Sequence, residues 1–510
     1  MKKLVSLLFH RVVLVAVFIL IQIAVLLVMI LRFNSYFVYF YWLCVAVSIL
    51  AVLWILGNRS DPAYKIAWIV PILIVPIFGG LFYIMFGGNR LSSRTRRRMQ
   101  GLERKMEEVL RPDFQADELL PIGEDAVHQA RYLEHMAHCP VYGNTVTEYF
   151  SLGEFCFARM IEELKKAERY IFVEYFIVEE GEMWNAILDI LKEKAAQGVD
   201  VRLLYDDIGS MFTLPRDYAR DLEAKTGIKC CVFNPFVPIL TIRLNNRDHR
   251  KIMVIDGKVG FTGGINLADE YINAYEKHGH WKDTSILLKG EAVFNLTVMF
   301  LSMWDYLDST TGKTDYSRYY PTVWDENAKG YVQPFADNPL DDEAVGETVY
   351  LNLINKAKRY VYITTPYLIL SSEMLTALTS AAKCGVDVRI ITPHIPDKWY
   401  VHAVSRSHYQ PLIEAGVKIY EYTPGFIHAK TFVVDDDYAV VGTINLDYRS
   451  LYLHFECAVW MYQTPSVAQV RDDFFKTQQI SQEITLEECR SLSFPRRLGR
   501  SVLRVFAPLM

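Results

Sequence analysis

HRKIMVIDGKVGFTGGIN at residues 249–266 and HAKTFVVDDDYAVVGTIN at residues 428–445 share one pattern, and these two stretches decide the fold. In each, a lysine follows the first histidine by two residues, an aspartate by seven and an asparagine by seventeen. The two copies are offset by 179 residues. A lone His-x-Lys pair arises easily by chance, but four matched positions in two copies indicate that one structural unit occurs twice.

The similarity extends upstream of both motifs. The apolar runs at 170–176 and 360–366 correspond, and each precedes a stretch with helical spacing of its apolar residues. The segment GVDVR then opens a further strand in each copy, at 198–202 and at 385–389. Strand, helix and strand in this order predict βαβ units, and hence an α/β fold in which helices flank a mixed β-sheet. We therefore predict two tandem domains of this fold, with the following limits: 112–325 and 326–490.

The spacing inside the motif brings its polar side chains together. Residues two apart on a strand point to the same face, so each histidine emerges beside its lysine. The apolar run that follows predicts a buried strand, and the aspartate lies where a hairpin turn belongs. The returning strand delivers the asparagine to the same region. Two such hairpins facing one another would gather six side chains around one anion: His249, Lys251, Asn266, His428, Lys430 and Asn445.

These residue types suit chemistry on a phosphodiester. Lysine and asparagine can donate hydrogen bonds to phosphate oxygens on which charge builds up in the transition state. Histidine can act as a nucleophile and as a proton donor near neutral pH. Displacing an alcohol from a phosphodiester without a metal requires one nucleophile and one acid. The predicted catalytic set comprises the His, Lys and Asp of both motifs: His249, Lys251, Asp256, His428, Lys430 and Asp435.

The two motif aspartates have two interpretations. Their turn positions favour a structural role for Asp256 and Asp435 over direct chemistry, so a carboxylate that orients each histidine is expected from elsewhere in the fold. The candidates are Asp283 and Glu456, and the alternative for both is an exposed ion pair. The remaining residues predicted to support the phosphate lie within the motifs: Asn266, Asn445 and Thr443.

Charge is divided unevenly along the chain. The net charge is −5, but residues 1–111 contain 14 Lys and Arg against 4 Asp and Glu, a net charge of +10. The other 40 basic and 55 acidic side chains give the rest of the chain a net charge of −15. This acidic body argues against a general nucleic-acid binder, whose folded domain is usually basic. The pattern favours a membrane anchor at 1–111, followed by enzyme-sized domains.

Three apolar segments lie within this front end. Residues 12–31 and 36–56 are each long enough for a membrane-spanning helix of about 20 residues. Basic residues before the first and after the second predict cytoplasmic outer ends. The third segment, 66–86, contains two prolines and a Gly-Gly pair and precedes an arginine cluster, so it either spans the membrane or re-enters it as a hairpin. We expect a multi-pass anchor that holds the catalytic domains on the cytoplasmic side.

The last twenty residues, 491–510, form a basic amphipathic tail. Read as a helix, the tail has its arginines on one side and its apolar residues on the other. Such a helix suits the surface of an anionic membrane leaflet, and the alternative is that it packs against the protein's own body.

The eight cysteines do not suggest a metal or redox site. They include no Cys-x-x-Cys pair, and no histidines lie near them at zinc-ligand spacing. The cysteines therefore support neither a zinc site nor a redox dithiol, and together with the metal-free chemistry expected of the motif this predicts no metal and no other cofactor. Cysteines scattered through a long chain fit a reducing compartment better than a disulfide framework.

The duplicated H-x-K-x4-D motif resembles that of the phospholipase D superfamily. Longer stretches resemble, within that superfamily, the bacterial cardiolipin synthases: 67–87, 206–210, 245–271 and 425–430 through 445–450. The resemblance runs from about residue 60 to the C-terminus. It departs at the front, because such synthases commonly have two hydrophobic segments and this chain has three. That difference concerns topology rather than chemistry.

The resemblance implies a transphosphatidylation in which two phosphatidylglycerols become cardiolipin and glycerol, without a metal or a nucleotide-activated lipid. It implies a phosphatidyl-histidine intermediate, for which we expect His249 as the nucleophile and His428 as the acid and base. The motif lysines and asparagines would hold the phosphate. The expected partners are phosphatidylglycerol and anionic lipids of the bacterial cytoplasmic membrane, and not nucleic acid. The sequence leaves the oligomeric state open.

Other activities would use the same residues. A membrane-bound phospholipase D would hydrolyse phospholipids with water as the acceptor, and the motif alone does not separate it from a synthase. A superfamily nuclease is a third interpretation, against which the acidic body and the predicted anchor both count. A membrane scaffold without activity is disfavoured, because no motif position is missing.

Overall fold

A computed structural model of the chain describes single residues at 20, 24, 27, 28, 101 and 116 and the following ranges: 37–58, 62–87, 104–110, 123–235, 246–308, 314–321, 327–341 and 343–509. The chain separates into two compact units. One contains the helices between residues 37 and 87, and the other, the catalytic body, contains every strand of the described residues.

The first repeat has eight strands: β1 (Thr145–Phe150), β2 (Tyr170–Tyr175), β3 (Asp200–Asp206), β4 (Lys229–Phe233), β5 (Arg247–Asp248), β6 (Ile252–Ile255), β7 (Val259–Gly263) and β8 (Ser285–Gly290). Seven of them form one sheet in the order β1-β8-β7-β6-β2-β3-β4. β2, β3 and β4 are parallel, as helical crossovers require, whereas β6 pairs antiparallel with β2 and β7. The sheet is therefore mixed, as predicted.

The second repeat also has eight strands: β9 (Tyr331–Asp337), β10 (Tyr360–Thr364), β11 (Asp387–Pro393), β12 (Lys418–Tyr422), β13 (Thr431–Val434), β14 (Tyr438–Gly442), β15 (His454–Tyr462) and β16 (Ser481–Glu483). Its sheet has the order β16-β12-β11-β10-β13-β14-β15-β5, and β9 also pairs with β15. Without β16 and β5, the order β9-β15-β14-β13-β10-β11-β12 repeats that of the first sheet. The prediction of two tandem copies of one α/β fold is confirmed.

Helices cover both sheets of the catalytic body: α4 (Glu124–Met136), α5 (Gly153–Lys165), α6 (Glu182–Ala196), α7 (Tyr218–Thr226), α8 (Val293–Leu307), α9 (Val345–Lys356), α10 (Ser372–Lys383), α11 (Trp399–Ser407), α12 (Tyr409–Glu414), α13 (Tyr448–Tyr452), α14 (Pro465–Gln479), α15 (Leu486–Arg490) and α16 (Phe494–Val505). The predicted apolar stripes of α6 and α10 face the core. Helix α8 is buried along almost its whole length, and its residues share one hydrophobic core with strands of both repeats. This shared core packs the two repeats into one unit.

The described part of the N-terminal unit consists of three helices: α1 (Phe37–Gly57), α2 (Pro62–Ile74) and α3 (Pro76–Phe86). Helices α2 and α3 are antiparallel, since the hydroxyl of Tyr64 near the start of α2 donates to the carbonyl of Gly87 after α3, at 3.1 Å. Their contact at the bend requires glycine, because a Cβ on Gly79 would lie 2.4 Å from the Cα of Ile72. The bend itself contacts the middle of α1.

None of the helices in the described residues is long and apolar enough to cross a membrane. The predicted span at 12–31 lies largely outside those residues, and the spans predicted at 36–56 and 66–86 gain no support from the helices observed there. Segment 66–86 is not one helix, because the backbone leaves helical geometry at Val75 (φ −129°, ψ 71°). Its halves, α2 and α3, rise only about 20 and 16 Å, against a hydrocarbon core of about 30 Å. The segment forms a helical hairpin.

Candidate active site

The motif histidines and lysines lie at the start of corresponding hairpins, β6–β7 and β13–β14. Only 7% of His249 and of His428 is exposed, and only 1% of Lys251 and of Lys430. Charged side chains are rarely buried to this extent unless they are paired. The two pairs must therefore be held by specific partners.

Backbone hydrogen bonds tie each histidine to the opposite repeat. The amide of His249 donates to the carbonyl of Phe455 at 2.9 Å, and that of His428 donates to the carbonyl of Lys282 at 2.7 Å. In both cases the acceptor directly precedes a buried carboxylate residue, Glu456 or Asp283. The same bond therefore brings a carboxylate of one repeat beside the histidine of the other.

Each histidine is oriented by a carboxylate from the other repeat. His249 Nδ1 lies 2.9 Å from both oxygens of Glu456, and His428 Nδ1 lies 2.6 Å from Asp283 Oδ2. Both carboxylates are fully buried and accept from Nδ1, which leaves Nε2 with the lone pair in the neutral ring. The two candidates from the sequence are therefore both brought to the site, in a crossed arrangement that the sequence did not indicate.

The two carboxylates are held differently. Glu456 also accepts hydrogen bonds from the hydroxyls of Thr443 and Ser450, the latter at 2.6 Å. The position that corresponds to Thr443 in the first repeat is Gly264, where a Cβ would lie 2.0 Å from Asp283 Oδ1. Thr443 thus contacts the orienting carboxylate, and glycine is required at the matching position because Asp283 fills that space.

Each motif lysine donates a hydrogen bond to the backbone of the histidine in its own motif. The Lys251 ammonium donates to the carbonyl of His249 at 2.6 Å, and that of Lys430 donates to the carbonyl of His428. Lys430 Nζ also lies 2.8 Å from His428 Nδ1. Nδ1 of His428 has one proton, which it shares in the hydrogen bond to Asp283. We therefore interpret the short distance from Lys430 Nζ as proximity rather than as a second hydrogen bond. Two ammonium groups therefore flank the histidine pair.

The two motif asparagines have different surroundings. Asn266 accepts from the backbone amide of Ile177 at 3.1 Å and donates to the hydroxyl of Tyr271 at 2.6 Å. The side-chain oxygen of Asn445 is buried without a hydrogen-bond partner among the described residues. A 180° rotation of the side-chain amide exchanges its oxygen and nitrogen positions. After this rotation, the amide nitrogen of Asn445 would occupy the unpaired position and could donate to a bound anion. Asn445 is therefore the better placed of the two to contact phosphate.

Aromatic rings enclose both histidines, and sequence reasoning missed them. The ring of His249 lies 5.1 Å from Phe176 and 5.6 Å from His454. Around His428, three rings lie within 6 Å: Tyr271 at 5.7 Å, Trp281 at 5.8 Å and Phe426 at 5.9 Å. His454 and Trp281 correspond, since each precedes an orienting carboxylate by two residues. This two-residue spacing was the available signal, because alternate residues of an extended chain share a face, as His454 and Glu456 do on β15.

Burial keeps the histidines of the site neutral and lowers the pKa values of its lysines. Burial, then the charge of Lys251, lowers the pKa of His249 well below its usual value, and burial, then Lys430, lowers the pKa of His428 to about 4. Burial also lowers the pKa of Lys251 to about 8 and that of Lys430 to about 7. It raises the pKa of Glu456 to about 8. A site of this kind gains from a bound anion, which would restore the charge of both lysines.

One group of the described residues has donor atoms close enough for a metal ion: His249, His454 and Glu456, whose donor atoms lie within 4.8 Å of one another. Both oxygens of Glu456 already accept hydrogen bonds from His249 and from hydroxyls. In the observed structure, Glu456 therefore acts as a hydrogen-bond acceptor.

Asp256 and Asp435, which we included in the predicted catalytic set, are not brought to the histidine pair. Each lies at the far end of the strand that follows the motif lysine, in a turn with left-handed backbone (φ 54° and 56°). The Asp256 carboxylate accepts from three successive backbone amides at 2.7–2.9 Å: Glu168, Arg169 and Tyr170. Asp435 does the same at 2.6–2.8 Å for the matching three: Lys358, Arg359 and Tyr360. The geometry supports the structural interpretation, in which each aspartate fixes the start of a central strand.

We expect Asp256→Ala and Asp435→Ala each to lower the free energy of unfolding by about 3 kcal/mol or more, because three backbone donors lose their acceptor and alanine is strained at positive φ. Urea unfolding of the purified protein measures this effect. Asp189→Ala, at an exposed helical ion pair, is the control and should change stability little. Unchanged stability with lost turnover would instead place these aspartates in the chemistry.

Comparison with known proteins agrees with this geometry. The family model described as "Cardiolipin synthase, PLD-like domain" matches residues 160–304 and 350–477, more than half of the chain. A model described as "Phospholipase_D-nuclease N-terminal" matches residues 46–88. The crystal structure of a phosphatidylserine synthase from Haemophilus influenzae has a similar fold, with a TM-score of 0.58 and 16% identity over 75% of this chain and 100% of that one.

Two relatives align over nearly all of the chain. An uncharacterized protein of Streptococcus mutans is 46% identical over 90% of this chain and 99% of its own length. A cardiolipin synthase of Geobacillus thermodenitrificans is 39% identical over 89% of this chain and 90% of its own length. The resemblance inferred from the duplicated motif is confirmed, and the chain belongs to the cardiolipin synthase family of phospholipase D-like phosphatidyltransferases.

Proposed function

We propose that this protein transfers a phosphatidyl group from one phosphatidylglycerol to another, giving cardiolipin and glycerol. The observation that carries the proposal is the crossed pair of neutral histidines, each oriented by a buried carboxylate of the other repeat and flanked by a lysine. A phosphodiester between two such imidazoles meets a nucleophile on one side and a proton donor on the other. The identity of the lipid substrate is inferred from the membership of the chain in the cardiolipin synthase family.

In the first half-reaction, Nε2 of His249 attacks phosphorus, an N–P bond forms, and the bond from phosphorus to the headgroup glycerol oxygen breaks. His428 gives its proton to that oxygen, so glycerol leaves as a neutral alcohol. His428 takes up this proton when substrate binds, because a nearby phosphate anion favours the imidazolium. Lys251, Lys430 and Asn445 stabilise the charge on the non-bridging oxygens.

In the second half-reaction, a second phosphatidylglycerol replaces glycerol. Neutral His428 removes the proton from the headgroup hydroxyl, and the resulting oxygen attacks phosphorus. The N–P bond breaks, cardiolipin forms, and His249 returns to its neutral state. No water takes part, so the outcome depends on the acceptor alcohol reaching the intermediate first. The aromatic rings around His428 would help to exclude water from that side.

The environments of the two histidines support this order of roles. Burial and then Lys430 lower the pKa of His428 while Asp283 raises it, whereas the largest influences on His249, burial and the nearby Lys251 and His454, all lower its pKa. The more basic of two imidazoles takes the proton. His428 is therefore the better acid and base, and His249 remains the neutral nucleophile.

Lipid analysis tests the proposed function directly. Purified full-length protein is incubated with phosphatidylglycerol in detergent, and the products are separated and quantified. Cardiolipin and glycerol in equal amounts support the proposal. Phosphatidic acid in place of cardiolipin would mean a hydrolase, and unchanged lipid with cleavage of added DNA would mean a nuclease; either result overturns it.

We expect kcat/KM for phosphatidylglycerol to fall as the pH rises above about 7, because Lys430 and then Lys251 lose their protons as the pH passes through their lowered pKa values of about 7 and 8. Lys430→Arg should move this decline to higher pH, since a guanidinium stays charged. Rates measured from pH 6 to 10 provide the test, with Lys289→Arg at an exposed lysine as the control. A rate that stays constant to pH 10 in the unaltered protein would contradict the assignment.

We also propose that residues 1–111 attach the protein to a bacterial cytoplasmic membrane by more than one apolar segment, with the catalytic body on the cytoplasmic side. The apolar composition of this region, its net charge of +10 and the family match at residues 46–88 support the proposal. Labelling of a cysteine introduced at Arg96 measures the sidedness. Labelling by an impermeant reagent from outside intact cells would contradict it.

A further inference from the structure

Two exposed aromatic side chains occupy matching positions in the repeats. Phe212 and Trp399 are each 72% exposed, more than any other aromatic residue that the structure describes in the catalytic body. They are offset by 187 residues, which is also the offset between Gly198 and Gly385 ahead of β3 and β11. Both therefore follow the carboxyl end of equivalent parallel strands. Large aromatic side chains exposed singly are ordinary, but a matched pair around one site is not explained by chance exposure.

The loop that carries Phe212 packs against the nucleophile side of the site. The hydroxyl of Ser210 accepts from the amide of Val178 at 3.1 Å, and a Cβ on Gly209 would lie 2.0 Å from the carbonyl of Phe176. The ring of Phe176 in turn lies 5.1 Å from that of His249. Phe212 thus belongs to a loop that packs against the segment carrying Phe176, the ring beside the first histidine.

Trp399 has the corresponding position beside the second motif. It begins α11, in which the hydroxyl of Ser405 accepts from the amide of Leu368 at 3.1 Å. Leu368 pairs with Leu446, the residue after Asn445, just as Val178 of the first repeat pairs with the residue after Asn266. The two aromatic side chains are therefore attached in the same way to the two halves of one active site.

Helix α16 extends this aromatic surface with an apolar stripe. It packs against α11, and three side chains one turn apart point away from the body: Phe494, Leu498 and Val502, which are 67%, 53% and 51% exposed. Both alternatives for the tail apply in part, because α16 packs against α11 of the body while this stripe stays exposed. The stripe lies between arginines, and residues 491–510 include no Asp or Glu, although the chain beyond residue 111 has a net charge of −15.

We propose that these five side chains, Phe212, Trp399, Phe494, Leu498 and Val502, form a docking face that seats the opening of the active site on an anionic bilayer. Aromatic rings favour the interface between headgroups and acyl chains, and an amphipathic helix with arginines lies in the same layer. The concentration of positive charge next to this apolar surface, on an otherwise acidic body, selects an anionic lipid surface over a second copy of the chain. The inference extends the proposed function, because it states how bilayer lipid reaches the histidines.

A comparison of two substrate forms tests the role of the docking face. Full-length Phe212→Ser/Trp399→Ser should show an increase of about tenfold or more in KM for phosphatidylglycerol in vesicles, since two large apolar side chains no longer enter the interface. The rate with short-chain phosphatidylglycerol below its micelle concentration should stay unchanged, which also shows that the variant folds. Met136→Ser, at an exposed apolar residue at the end of α4, is the matched control. Equal losses with both substrate forms would overturn the proposal.

Photo-crosslinking gives a readout that does not depend on turnover. Benzoylphenylalanine in place of Phe212 or Trp399, in full-length protein reconstituted in phosphatidylglycerol vesicles, should crosslink to lipid, whereas the same group at Met136 should not. Lipid crosslinks without cardiolipin formation would leave the docking face intact and refute the proposed function. Cardiolipin formation without lipid crosslinks, or crosslinks to a second copy of the chain, would refute the docking face and leave the proposed function intact.

Discussion

His249→Asn should eliminate the phosphatidyl-enzyme, whereas His428→Asn should still form it from a substrate whose leaving group needs no proton. Both variants should lose about 10⁴-fold or more in kcat/KM with phosphatidylglycerol, because a nucleophile or an acid is missing. With phosphatidyl-p-nitrophenol, departure of p-nitrophenolate needs no acid. His428→Asn should then release a burst of one equivalent of p-nitrophenolate and stop, because no base activates the acceptor.

The burst assay also decides the order of the two histidines. His249→Asn should give no burst, and His128→Asn, at an exposed histidine, should behave like the unaltered protein. A burst from His249→Asn but not from His428→Asn would reverse the assignment. A burst from both variants would show that neither histidine alone is the nucleophile.

The second large effect concerns the crossed carboxylates. Glu456→Gln and Asp283→Asn should each lower kcat by about 10² to 10⁴-fold, because an amide can favour the wrong tautomer of the histidine that it contacts. Phosphatidyl-p-nitrophenol should restore the first step of Asp283→Asn, whose defect lies at the acid, but not that of Glu456→Gln, whose defect lies at the nucleophile. The crossed geometry therefore predicts that a change in the second repeat disables the histidine of the first.

A stopped-flow measurement of the burst separates these outcomes. Glu483→Gln, at an exposed carboxylate, is the control and should leave both steps unchanged. The contrary result is that phosphatidyl-p-nitrophenol restores the first step of Glu456→Gln and not that of Asp283→Asn. That result would mean that each carboxylate serves the histidine of its own repeat, and that the crossed hydrogen bonds have no role in the chemistry.

The duplicated fold could be predicted from the sequence because periodicity and motif spacing are local properties. The strands that carry His249 and His428 follow from apolar runs and from turn residues. The same reasoning indicated Asp283 and Glu456 as orienting carboxylates, since each follows a motif hairpin. It did not indicate which histidine each one serves, because that depends on how two sheets pack, and side-chain periodicity contains no information on such contacts.

Two further features of the structure could not be predicted from the sequence. Phe176 beside His249 and Trp281 beside His428 come from segments distant in sequence from the histidine that each contacts, so only the fold brings these rings to the site. The apolar segment 66–86 was ambiguous because proline can either kink a helix or end it. The antiparallel contact between Tyr64 and Gly87 depends on the chain direction after Val75, which composition alone does not determine.

The exchange of carboxylates between the repeats makes each half of the active site depend on the other half of the chain. Each half of the molecule encodes a histidine that lacks its orienting acid and an acid that has no histidine of its own to orient. Neither half can lose its carboxylate without leaving the histidine of the other half unoriented, although the sequences of the two halves have diverged. Gly264 and Thr443 record this divergence, since one makes room for an aspartate and the other binds a glutamate, in equivalent places.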